Sequence, residues 1–127
     1  MRADIGLLVL RVFVGGMMLF GHGWGKLQNF TIIQERFPDP LGVGPAVSLA
    51  LAIFAEVFCA AALMAGAFTR LVAVPLVITL MVAVFIVHRD DPWDKKELAL
   101  LYLIPFLTFI FTGPGKFSVD GLFRRGK

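Results

Sequence analysis

The sequence predicts an all-α protein, an integral membrane four-helix bundle with a short interfacial helix in its first outer loop. Hydrophobic residues make up 58% of the chain and charged residues 17%, with a mean hydropathy of +0.84. The apolar residues also fall in four long blocks, where a soluble domain would scatter them. Thirteen Phe against a single Tyr suit faces turned to acyl chains. A soluble fold of 127 residues has too little interior to cover so much Leu, Val, Phe and Ala. Residues 1–127 therefore read as a single transmembrane domain.

The first block runs from Ile5 to about Gly23, broken only by Arg11. At about 1.5 Å per residue it spans roughly 30 Å of hydrocarbon. Its basic flank is only Arg2 and no A-x-A site follows, so it reads as a retained helix and not a cleaved leader. Next, Leu27, Phe30, Ile33 and Phe37 recur at helical spacing between polar residues. This is the pattern of an amphipathic helix lying along the membrane surface, ended by Pro38 and Pro40. The second span covers about 45–65 and is closed by Gly66. Only Gly66-Ala-Phe-Thr-Arg70 separates it from the third, about 71–87, so the two form an antiparallel hairpin. Thr69 is the expected cap, and Pro75 is expected near the helix start. The fourth span, about 98–112, should kink at Pro105 and stops at Gly113-Pro114-Gly115. Trp24 and Trp93 suit the headgroup level.

The side bearing both termini carries Arg2, Arg70, Lys116, Arg124, Arg125 and Lys127; the other carries Lys26, Arg36, Arg89, Lys95 and Lys96. The acids sharpen this contrast, with Asp4 and Asp120 on one side against Glu35, Asp39, Asp90, Asp91, Asp94 and Glu97 on the other. The expected orientation is both termini in the cytoplasm. The net charge of +3 and pI of about 9.4 are spread over several segments and form no basic stripe, which argues against nucleic acid. Cys59 is the sole cysteine, which excludes an internal disulfide and a CxxC redox pair.

A charge inside a membrane helix costs about 2.5–3.5 kcal/mol on insertion scales, so it needs a partner, water or a task. Arg11 and Glu56 are two such charges. With the helix ends level, Glu56 lies about 16 Å and Arg11 about 10 Å from the shared edge, close enough to form a buried ion pair. That pair either fixes helix register or serves a site in which Glu56 carries protons and Arg11 holds a quinone oxygen or an anion. A second group gathers at the opposite surface: His22 and Lys26 end span one, His88 ends span three, and Glu97 opens span four. Arg11, Gly15, Met18 and His22 share one helical face, which suggests a proton path. Glu97, Leu101, Pro105, Thr108 and Thr112 are expected to form a polar face on span four. The candidate catalytic residues are Glu56, Arg11 and His22; Met18, Trp24, Lys26, His88 and Glu97 join Arg11 and Glu56 as candidate substrate contacts. The two histidines lack the spacing of a ligand motif, so no metal site is expected and haem is disfavoured. The chain also has no P-loop, Rossmann fingerprint or Ser-His-Asp set.

Arg11, the run Gly21-His22-Gly23-Trp24-Gly25-Lys26-Leu27, Glu56, Gly66 with Thr69-Arg70, and Gly113-Pro114-Gly115-Lys116-Phe117-Ser118-Val119-Asp120 follow one another across nearly the whole chain. In that order they resemble the DoxX family of bacterial membrane proteins. The resemblance implies a four-helix inner-membrane protein, in some relatives a subunit of thiosulfate:quinone oxidoreductases, in others a part of oxidative-stress complexes or of the detoxification of quinone-like and catechol compounds. Two readings stay open. One is a quinone-linked oxidoreductase component with a soluble redox partner, the chain itself holding no intrinsic cofactor. The other is a non-catalytic scaffold or assembly partner. A transporter would need a homo-oligomer, because four spans without an evident repeat enclose no pathway. The partners considered are thus the lipid bilayer, a quinone, a soluble redox protein and a second copy of the chain.

Overall fold

The computed structural model describes residues 1–125; Lys127, one of the cations counted for orientation, lies outside them. Three helices are long and apolar enough to cross a membrane: α1 (Arg2–Gln28), α3 (Pro45–Ala65) and α4 (Thr69–Val87). Between the first two lies the single turn α2 (Phe30–Ile33). A further long helix, α5 (Trp93–Thr112), and a short α6 (Val119–Arg125) complete the chain. Among the described residues there is no strand. The run 98–112 begins five residues into α5, whose first turns carry Asp94, Lys95, Lys96 and Glu97.

Helix α1 packs on α3, α3 on α4 and α4 on α5, and a lighter contact between α1 and α5 closes the ring. Leu63, Leu76, Phe106 and Phe109 are fully buried at its centre. The α1–α3 contact depends on Gly23, where a Cβ would stand 2.7 Å from the Glu56 carbonyl, so only glycine lets the backbones approach. The segment after α1 does not lie clear of the bundle. Phe30, Ile33 and Phe37 pack against Leu49, Ile53 and Val57 and cover one half of α3.

Two local expectations are corrected. Thr69 does not cap α4: the N-cap is Phe68, in the left-handed region at φ 51°, and the cap comes from elsewhere in the chain. The Asp120 carboxylate accepts from the Phe68 and Thr69 N–H groups at 2.8 and 3.0 Å. The Thr69 hydroxyl is buried without a partner among the described residues. Because α4 begins at Thr69, Pro75 lies in its second turn, where its missing N–H removes a helical bond to the Leu71 carbonyl. On the same helix the Thr79 hydroxyl donates to the Pro75 carbonyl at 2.8 Å.

α1, α3 and α4 each contain a π-helical turn: Leu19–Gly23, Phe54–Cys59 and Ala83–Val87. Such turns are rare and recur at functional sites. Here the first holds His22, the second holds Glu56 at the middle of α3, and the third ends one residue before His88.

Candidate functional site

The expected pair of Arg11 with Glu56 is not formed. Gly23 is the residue of α1 that meets Glu56, and Arg11 lies twelve residues earlier, about 18 Å down the axis at about 1.5 Å per residue. The physical reason is that the ends of α1 and α3 nearest the termini are not level: the last turn of α3, at Met64, meets Arg11, so α1, which begins at Arg2, overhangs α3. Arg11, 2% exposed, instead donates to three backbone carbonyls: Met64 at 3.1 Å, Pro114 at 2.7 Å and Phe117 at 2.7 Å. It ties the end of α3 to the loop after α5. Gly66, at φ 72°, completes the clamp, since a side chain there would run into Ser118 and the Arg11 guanidinium. Asp4 accepts from the Lys116 N–H at 3.0 Å and fastens the same loop to the start of α1.

Glu56 finds its cation on the other side. Its Oε1 lies 2.6 Å from Lys26 Nζ, with the carboxylate buried and the lysine partly open. The Phe37 ring sits 5.9 Å from the same ammonium, so Lys26 is held between a carboxylate and an aromatic face. A cavity of about 180 Å³ opens beside the pair, lined among others by Met18, His22, Thr79, His88, Lys95 and Tyr102. Met18, His22 and Lys26 reach it because a four-residue spacing keeps side chains on one helical face. The His22 and Tyr102 rings meet edge to face at 5.3 Å and close the wall between α1 and α5. A second, apolar cavity of about 500 Å³ lies between α3 and α4 under Phe37 and Pro38, and it too is walled by Lys26, Glu56 and His88.

His88 also touches the loop beyond α4. Its Nδ1–H donates to the Asp91 carboxylate at 2.7 Å, and that bond, with the nearby Lys95 charge, holds the Asp91 carboxyl below the usual carboxylate range. At the start of α3 the Asp39 carboxyl is likewise held low, by the Ser48 hydroxyl and by the N–H groups of Gly44 and Val43.

Several expected site residues are not brought together. Trp24 and Glu97 are exposed and line neither cavity, because each is rotated away from the inward face of its helix. On α5 the smaller cavity is lined by Lys95, Leu98, Ala99 and Tyr102, and the buried residues are Ala99, Tyr102, Phe106 and Phe109. The expected polar face through Glu97, Leu101, Thr108 and Thr112 therefore points out of the bundle, with the Thr108 hydroxyl bonded back to the Ile104 carbonyl at 2.8 Å. Helix α5 also runs without interruption through Pro105. Tyr102, Thr79 and Lys95 were missed. The signal for Tyr102 was there: it is the single Tyr among thirteen Phe, and a hydroxyl placed in an apolar helix needs a polar neighbour.

A family model described as DoxX matches residues 6–89, which hold Arg11 and every cavity residue named above except those of α5. The chain is 32% identical over 131 residues to a protein of Haemophilus influenzae described as uncharacterized, covering 97% of this chain and 86% of that one. It is 27% identical to a protein of Escherichia coli called inner membrane protein YqjF, over 96% of this chain and 95% of that one. A second Haemophilus influenzae protein, also described as uncharacterized, is 32% identical over 92% of this chain and 90% of its own length. No solved structure matches. With its apolar helices and a match that runs from the first span to just past His88, the chain belongs to the DoxX family.

Proposed function

We propose that the chain crosses a bacterial inner membrane four times, with both termini in the cytoplasm. In this reading it binds a quinone beside Lys26 and Glu56, as the membrane component of a quinone-linked oxidoreductase whose electrons come from a soluble redox protein. The carrying observation is the Lys26–Glu56 pair, a buried carboxylate with a partly exposed ammonium, standing in the wall of two cavities. A dry cavity of about 150 Å³ holds a benzene ring, so about 180 Å³ accommodates one ring of quinone size. Lys26 has three N–H donors and spends one on Glu56, leaving others for a carbonyl oxygen. The His22 and Tyr102 rings supply aromatic contact on the far wall.

Reduction of a quinone to a quinol adds two electrons and two protons. The soluble partner supplies the electrons; Glu56, His22 and His88 are the groups in the cavity wall that exchange protons. The fourth crossing is α5, whose charged first turns sit at the surface and whose run from Leu98 onward is apolar. The α2 segment lies against the membrane surface on the same side. The name of the Escherichia coli relative supports the inner-membrane location, and the acids gathered between spans, opposite the termini, are consistent with the orientation.

Purification in mild detergent followed by solvent extraction tests the reading. Quinone should leave with the wild-type protein and be depleted from Glu56→Gln and Lys26→Met. A quinone-free protein that always retains the same soluble partner would overturn it in favour of a scaffold.

A further inference from the structure

The two cavities meet at the ion pair but differ in character. The smaller is lined by residues of all four long helices; the larger lies along the α3–α4 seam and shares Lys26, Glu56, Thr79, Ala83 and His88 with the smaller. Two features of the sequence open that seam. Small side chains, Ser48, Ala52 and Ala55 from α3 and Thr79 and Ala83 from α4, leave a slot between the backbones. Nearer the hairpin, Leu63, Ala73 and Leu76 pack without exposed surface and the same two helices close. The π-helical turns Phe54–Cys59 and Ala83–Val87 fall beside the slot, one on each helix. Leu51 and Ile78 stand about half exposed at its rim, and Phe37 and Pro38 roof it.

We infer that this slot is the tail subsite: the molecule held at Lys26 and Glu56 carries an apolar chain that lies between α3 and α4, and it reaches the site sideways from the bilayer. The inference rests on the quinone reading above and narrows it to tailed, lipid-borne quinones as against small ring compounds arriving from water. Continuity with the ion pair selects this opening over the only other large groove described. That groove, broad and shallow on the α1–α5 face, is lined by Phe13, Gly16, Met17 and Phe20 and reaches the smaller cavity only at Tyr102. A polar head entering by the α3–α4 slot meets Lys26 and Glu56 first, whereas one entering by the α1–α5 face meets no charge before the His22–Tyr102 contact.

The test uses the full chain in nanodiscs of phosphatidylethanolamine and phosphatidylglycerol, with a ubiquinone analogue bearing a diazirine at the end of its tail. After illumination, label should concentrate on Leu51, Ala52, Ile78 and Val82 and be removed by excess decylubiquinone. Ala52→Phe and Val82→Trp, at half-buried positions of the slot, should lower that labelling roughly tenfold by overfilling it. Both should leave binding of a tail-free dimethoxy-methyl-benzoquinone unchanged. Competable label on Phe13, Met17 or Phe20, or label spread evenly over all helices, overturns the tail subsite. If the tail-free ring still binds in that case, the quinone reading stands without it. If neither compound binds, both fall.

Discussion

Arg11 and Glu56 are both almost fully buried, 2% and 4% exposed, yet the molecule treats them in opposite ways. Arg11 is satisfied by fixed acceptors, the carbonyls of Met64, Pro114 and Phe117, which belong to a helix end and a loop that have nowhere else to go. Glu56 is satisfied by one long, partly exposed side chain with empty space on either side. A buried charge held by backbone fastens a fold. One held by a movable side chain at a cavity wall stays open to a third partner. By this contrast the end bearing the termini is the anchor, and the proposed site lies around Glu56 and beyond it.

Removing each charge should therefore give different phenotypes. Arg11→Ala strands the Pro114 carbonyl in the interior and leaves those of Met64 and Phe117 part-buried without their donor; at about 1–3 kcal/mol for a buried unsatisfied group and less for the other two, the loss should be about 3 kcal/mol. Thermal unfolding in detergent should show it as the largest loss in this series, and Arg11→Lys should recover only part of it, because an ammonium cannot reach three acceptors spread over two segments. A variant of Arg11 that folds normally but loses quinone would reverse the assignment of the two ends.

At the other end, Glu56→Leu alone leaves the Lys26 ammonium without its carboxylate and should cost about 1–3 kcal/mol, softened by the exposure of Lys26. The double variant Lys26→Met with Glu56→Leu should regain most of that stability, because an apolar pair of similar volume is often as stable as a buried ion pair. It should nevertheless stay empty of quinone. Recovery of both stability and quinone would make the pair purely structural. A smaller effect is expected back at the anchor, where Asp120→Ala removes the cap on Phe68 and Thr69 and should cost about 1 kcal/mol by the same unfolding assay.

The anchor and the site were legible in the sequence to different degrees, and for physical reasons. The apolar runs could be read because burial in lipid demands long stretches without charge, and each run lies inside one of the long helices. The stripe Met18, His22, Lys26 could be read because helical periodicity alone puts those residues on one face. The partner of Arg11 could not. Its acceptors are main-chain carbonyls, which every residue has and no residue type marks. Vertical register between α1 and α3 was equally hidden: the end of α3 meets α1 at Arg11, well inside the helix that begins at Arg2, and no residue type marks that overhang. The inward face of α5 was misread for a related reason, since polar residues at its start and end drew attention to Glu97 and Thr108 while Tyr102 and Lys95, on another face, reach the cavity.

The smallest expected effect concerns acid and separates the two ends once more. Asp39 fastens the segment that roofs the α3–α4 slot to the start of α3, through the Ser48 hydroxyl and two backbone N–H groups. Its carboxyl is held below the usual range by those donors, the Ser48 bond first. A depressed folded-state value means that the stabilisation is present above the unfolded-state value of about 3.9 and is lost as pH falls through the lower folded-state value. Acidification from neutral to about pH 3 should thus lower the hydrogen-exchange protection of residues 37–44, measured against the slower intrinsic exchange in acid, while the bonds from Arg11 to carbonyl oxygens, which do not titrate, persist. Asp39→Asn should show the lower protection already at neutral pH and little further loss of protection in acid, and Ser48→Ala should fall between. Equal acid sensitivity in residues 37–44 of the wild type and Asp39→Asn would mean that some other group ties down the roof.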